Sequence, residues 1–236
     1  MAQIQLSGGE PVRRYADVLA VLEAATPETD FWLLTSGLGL TQTRARQLRA
    51  AGLTGVQISL DHHEPALHDF FRGFEGAFQA AEAAVRAARA AGLVVGLNRC
   101  ATRAFTTPTN LMAYAELARG WGAHFIQLPE PRAVGHYAGQ DVDLARAQEA
   151  LLEDFYHQLN THPAYRSYPI VTYHGWHQRR VDCFGAADRY LYLDPTGAVY
   201  ACPFCQGAAG SDCTDEGLAE SVSRRRAGGC GKFKRA

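Results

Sequence analysis

Six short β-rich runs alternate with helical stretches along most of this chain, and that alternation constrains the fold more than any other feature. The runs fall at residues 4–6, 31–34, 55–60, 93–97, 123–128 and 170–173. Helical periodicity fills the gaps: through Tyr15, Val18 and Leu22, over about 41–51, 77–91 and 110–119, and through Leu144, Leu151, Phe155 and Leu159. Gly52 and Gly92 stand where helices end, a position that favours glycine. Strands separated by helices at this spacing imply an α/β chain with a parallel sheet and helical crossovers.

Periodicity alone does not separate an open doubly wound sheet from a barrel, but the polar residues do. Nearly every run ends in a chemically capable cluster: Ser7-Gly8-Gly9-Glu10-Pro11, Thr35-Ser36-Gly37, Ser59-Leu60-Asp61, Asn98-Arg99 and Pro129-Glu130-Pro131. A doubly wound sheet concentrates its chemistry at one switch point. A barrel builds its site from the C-terminal ends of many strands. The expectation is therefore a partial (β/α) TIM-like barrel of about five to six parallel strands.

From about residue 165 the pattern changes. Residues 190–200 read as a β-hairpin around the turn Asp194-Pro195-Thr196-Gly197, with cysteines on both sides. Two domains follow from this: a barrel over 1–164 and a small C-terminal β-hairpin and cysteine module over 165–236. A chain of 236 residues buries enough surface for both. Its net charge of −1 gives no general affinity for nucleic acid or an anionic membrane. No run approaches the roughly 18 apolar residues of a membrane span, and no signal peptide is evident. The expected location is cytoplasmic, where thiols stay reduced. Five of the six cysteines crowd into the last quarter, which points to metal or redox chemistry before disulfides.

The strand-end clusters, taken in order, resemble those of radical S-adenosylmethionine (SAM) enzymes. A strand followed by Gly8-Gly9-Glu10-Pro11 is similar to the family's second strand, whose GGEP turn holds the SAM amino group. Two glycines allow close backbone approach, and a carboxylate accepts from an ammonium. Thr35-Ser36-Gly37 resembles the TNG turn, with Ser36 in place of Asn. Ile58-Ser59-Leu60-Asp61 resembles the fourth strand, whose tip meets the ribose and methionine of SAM. His68-Asp69-Phe70-Phe71-Arg72-Gly73 with Gly76-Ala77-Phe78 is similar to the HDxFRG and GxF stretch of members that modify peptides or tetrapyrroles. Arg72 suits the SAM carboxylate, because guanidinium offers a bidentate fork. Asn98 matches a polar position near the ribose, and Leu128 opens the loop that offers backbone to the adenine.

The resemblance implies SAM as cofactor, a peptide, tetrapyrrole or enzyme as substrate, and an external electron donor. The family's radical-generating [4Fe-4S] cluster sits in a CxxxCxxC loop upstream of the GGEP strand. Only six residues precede Ser7 here, and the motif occurs nowhere in the sequence. Met1 is accordingly expected to be an internal start, leaving the barrel N-terminally truncated and residues 3–6 on an unpaired edge. Such an edge invites aggregation. No catalytic residue is assigned, and this chain alone is expected to be inactive.

Cys183-x13-Gly197-x4-Cys202 resembles the opening of SPASM or twitch modules. Cys202-Pro203-Phe204-Cys205 adds a CxxC pair, and Cys230 follows a helix, so Cys183, Cys202, Cys205 and Cys230 form a candidate set for one auxiliary [4Fe-4S] cluster. Structural zinc on the same thiolates stays open, as does a thiol–disulfide role for Cys202 and Cys205. Cys213 fits no slot and is expected to be free, its replacing one of these four ligands being the alternative. His62, His63, His174 and His177 fall close to strand ends and could face the substrate mouth, but a loop histidine is usually solvated and none is assigned a role; Phe105, Tyr137 and Trp176 read as packing residues. Two other functions remain: a non-catalytic SAM- or peptide-binding pseudoenzyme, and a zinc-stapled barrel enzyme using Glu10, Asp61 and Glu130.

Overall fold

The computed structural model describes residues 2–25, 28–181, 191–200, 202–204 and 211–212. Six strands make one sheet: β1 (Ala2–Leu6), β2 (Thr29–Thr35), β3 (Leu53–Ser59), β4 (Val94–Asn98), β5 (Phe125–Gln127) and β6 (Ile170–Thr172). Every neighbouring pair is parallel, and the order in space is the order in sequence. Sequential order with right-handed crossovers places all the helices on one face. No strand order reverses, so there is no switch point, and the sheet is an arc of a barrel as the sequence implies.

The crossovers carry α1 (Tyr15–Ala24), α2 (Gln42–Ala50), α3 (Pro65–Arg72), α4 (Ala77–Ala90), α5 (Pro108–Trp121) and α6 (Arg146–Thr161). Thr41 and Thr107 cap α2 and α5 by accepting from the N–H of Arg44 and Asn110. Helix α3 was not expected as a separate element. Pro65 opens it and Gly73 closes it in the left-handed region at φ 62°. Asp69 then joins it to α4, its carboxylate accepting from Gly76 N–H and Phe78 N–H at 2.8 Å each.

The two faces of the sheet differ completely. Leu33, Val56, Ile58, Val95, Leu97, Ile126 and Val171 point to the helices and are fully buried. At about 1.5–3 kcal/mol for each large apolar side chain, this face carries the driving force for the fold. The opposite, inner face runs through Gln5, Trp32, Leu34, Gln57, Ser59, Asn98, Gln127 and Thr172, as register and the two-residue strand period require. Its lower half is closed by rings. Gly55 and Gly96 lack side chains there because the rings of Trp32 and Phe125 occupy the space. A Cβ on Gly96 would lie 2.3 Å from the Phe125 ring, and one on Gly55 2.6 Å from Trp32.

The sheet and its helices form a compact unit of residues 1–131 and 144–173. A second unit comprises 132–143 and 174–236. Its described part holds α7 (His174–Val181) and an antiparallel sheet of β7 (Tyr192–Leu193), β8 (Ala198–Tyr200) and β9 (Ser211–Asp212). The hairpin expected over 190–200 is present. Asp194 shapes its turn, accepting from the N–H of Thr196 and Ala198. Strand β9 falls in a Gly/Ser-rich stretch with no alternating pattern of a strand.

Candidate SAM site at the strand tips

The tips of β1 and β2 are tied together by Glu10. Its carboxylate accepts from Val12 N–H (3.1 Å), Thr35 Oγ1 (2.6 Å), Ser36 N–H (2.8 Å) and Ser36 Oγ. Four donors fill the acceptor capacity of a carboxylate. The group expected to meet a ligand ammonium is therefore spent on the chain, and Ser36 is one of its anchors. Gly8 and Gly9 beside it are exposed, and a Cβ on either would meet nothing within 4 Å. Their backbone is open to a ligand.

The tips of β3 and β4 hold a buried charge cluster. Asp61 is 6% exposed; its Oδ2 lies 2.5 Å from Arg72 Nε, and its Oδ1 3.7 Å from Arg99 Nη1. Arg72 thus pairs within the protein, with its side chain still 30% exposed. His68 orients the loop by accepting from Asp61 N–H at 2.9 Å through Nδ1. Burial holds this histidine below the ordinary value of 6.5, in its neutral form. The excess charge sits on Arg99, whose side chain is only 4% exposed. It stacks over Phe105 at 4.1 Å and gives one bond, from Nη2 to Thr102 Oγ1 at 3.3 Å. Its Nε and Nη1 have no hydrogen-bond acceptor among the described residues. Two guanidiniums against one carboxylate, with two N–H groups unspent in a buried setting, make a site for an anion.

Ser59 and Asn98 face each other in register beside this cluster. Both are half-buried, and neither side chain makes a hydrogen bond to a described residue. Leu128 stands at the tip of β5 with its N–H already donated to the Thr172 carbonyl at 3.0 Å. Glu130 accepts from Tyr173 Oη at 2.7 Å. His62 and His63 follow Asp61 and stack on each other at 4.4 Å, with His62 edge-on to Phe105. Sequence reasoning placed Ser59, Asp61, Arg72 and Asn98 in one region, and the structure brings these four together. It missed Arg99 as the unspent cation, and Phe105 as the ring beneath it. The one available signal was an arginine immediately after a strand-end asparagine.

Of the proposed auxiliary ligands, Cys202 alone is described; Cys183, Cys205 and Cys230, with Cys213, lie outside the described residues. Cys202 is buried, and the N–H of Phe204 donates to its sulfur at 3.5 Å. Cys100 is the only cysteine before residue 183. Burial pushes its thiol up from the ordinary value, the reverse of what an iron-ligating thiolate needs.

No family model matches the chain. It is 32% identical over 203 residues to the PqqA peptide cyclase of Methylocella silvestris, an overlap of 84% of this chain and 53% of that one. It thus spans about half the length of the curated relatives it matches. SuiB of Streptococcus suis, solved bound to SAM, superposes with a TM-score of 0.67 at 12% identity over 96% of this chain and 56% of that one. HemN of Escherichia coli, described as a radical SAM enzyme, superposes with a TM-score of 0.53 at 13% identity, covering 67% and 40% of the two chains. With the arc of parallel strands, the ordered strand-tip motifs and these relatives together, the chain belongs to the radical SAM superfamily.

Proposed function

We propose that this chain is the SAM-holding part of a radical SAM enzyme that modifies a peptide. The observation that carries the reading is Arg99, a buried guanidinium with unspent N–H groups at the tips of β3 and β4. It is matched to the SAM carboxylate, with Arg72 on the outer side. Gly8 and Gly9 offer backbone, and Glu10 its charge, to the ammonium. Ser59 and Asn98 have free side chains for the ribose, Asp61 and Ser36 shape the rim, and Leu128 borders the adenine. When bound and reduced by a [4Fe-4S] cluster, SAM supplies a 5′-deoxyadenosyl radical that takes hydrogen from a substrate. The residues of this chain bind and orient the nucleotide.

The thiols present do not fit that cluster. With no CxxxCxxC and with Cys100 held protonated, the 236-residue chain is expected to cleave no SAM by itself. An auxiliary [4Fe-4S] cluster on Cys183, Cys202, Cys205 and Cys230 is part of the same reading. The burial of Cys202 and the N–H···S bond from Phe204 support it, since such outer hydrogen bonds orient a sulfur ligand. The peptide assignment rests on the PqqA peptide cyclase relative and on SuiB, which was also solved with its precursor peptide.

Anaerobic reconstitution with iron and sulfide tests both parts. The expected result is SAM binding and protein-bound iron and sulfide lost on Cys202→Ala, with no 5′-deoxyadenosine above a no-protein control. Reductive cleavage of SAM would overturn the inactivity. Zinc without sulfide would replace the auxiliary cluster by a structural staple.

A further inference from the structure

We propose that Gln57 forms a neutral, amide-recognising subsite on the inner face of the sheet, beneath the strand-tip site, where it receives a peptide group of the substrate. The inference rests on the peptide reading above and names what that substrate must present.

Gln57 lies at the middle of β3, in register with Leu34 of β2 and Gly96 of β4. It is only 7% exposed, and its carboxamide makes no hydrogen bond to any described residue. The head of this side chain is not itself enclosed, so its acceptor and donors stay open to a ligand entering the arc. The floor below it is apolar: Trp32 fills the space over Gly55, Phe125 that over Gly96, and the two rings meet edge to face at 5.6 Å. The indole N–H of Trp32 is a buried donor with no acceptor among the described residues.

Charge selects the class of ligand. From Trp32 up to the strand tips, the described inner-face positions carry amide, hydroxyl and apolar side chains and no charge. A carboxamide offers one acceptor and two donors side by side, the complement of a peptide N–H and C=O. It cannot neutralise the carboxylates of a tetrapyrrole, which call for Arg or Lys. The cations of this unit that face the site stand above, at Arg72 and Arg99, where the nucleotide carboxylate would take them. A neutral amide entering the arc therefore meets Gln57 over an aromatic base.

Proton–nitrogen NMR of the labelled chain reads this without catalysis. The Gln57 side-chain amide signal is assigned with Gln57→Leu and the Trp32 indole signal with Trp32→Phe. N-acetylglycine N-methylamide is the probe and acetate the control. The expected result is a saturable shift of both signals with the blocked amide and none with acetate. Gln57→Leu should weaken the probe about fivefold, the scale of one net hydrogen bond. Equal response to acetate, no saturable response to the amide, or an unchanged affinity in Gln57→Leu would each overturn the proposal. If Gln57→Leu does not fold, Gln57→Met serves the same comparison. A SAM titration on the same sample reports the nucleotide site separately, so either reading can fail alone.

Discussion

Arg99 carries a cost in the free protein. Burial pulls its pKa down from the ordinary value, and its nearest carboxylate is shared with Arg72. Burying an ion costs several kcal/mol of lost hydration, and Asp61 keeps Arg72 as its partner when Arg99 is removed. Arg99→Met is therefore expected to hold or raise the thermal midpoint, measured by calorimetry without ligand; a large fall would show that the guanidinium serves the fold. Asp69 is the opposite case. Backbone N–H groups of Phe78 and Gly76 hold its carboxyl below the ordinary value, so the ionised form is the one the structure uses. Asp69→Ala is expected to lower the midpoint by releasing the start of α4, and an unchanged midpoint would contradict that role. Single residues were unevenly legible in the sequence. Ser59, Asp61 and Asn98 announced themselves as polar residues closing apolar runs. Arg99 did not, because an arginine past a strand is usually solvated, and only tertiary packing under Phe105 and Phe71 buries it.

At the scale of elements, the sheet was legible for a simple physical reason. Its helix-facing residues are Leu, Ile and Val, while its inner face turns polar towards the strand tips, so each strand stands out against the helices. What periodicity does not show is which glycines are spaces for a neighbour's ring. Gly96 and Gly55 read as ordinary strand glycines, yet Phe125 and Trp32 occupy their Cβ positions. Gly96→Ala is expected to cost about 1–3 kcal/mol through overpacking. Combining it with Phe125→Leu should recover part of that loss in a denaturant double-mutant cycle, because the two sites share one volume. Strict additivity would mean that the ring does not fill the glycine's space. Helix α3 escaped notice because its eight residues are dominated by the HDxFRG resemblance, and β9 because two residues in a Gly/Ser-rich stretch carry no strand pattern.

For the molecule as a whole, acid is the expected weakness. Burial holds His62, His63 and His68 below their ordinary 6.5, with the His63 charge also acting on His62. The unfolded chain then binds more protons than the folded one between the lowered values and 6.5. Stability from these groups is complete above that pH and is lost progressively as the pH falls below it. Thermal midpoints measured from about pH 7.5 down to about pH 5.5 should decline, and less steeply in His68→Asn. A flat profile would contradict neutral burial of His68.

Most direct of all is calorimetric titration of SAM, and of 5′-methylthioadenosine, into the chain without iron. The second ligand keeps the nucleoside but lacks the carboxylate and ammonium. One saturable SAM site is expected, with a preference of about tenfold or more over 5′-methylthioadenosine, and Arg99→Met should erase that preference. Absence of SAM binding, or a preference that survives in Arg99→Met, would contradict the convergence of these strand tips on one nucleotide.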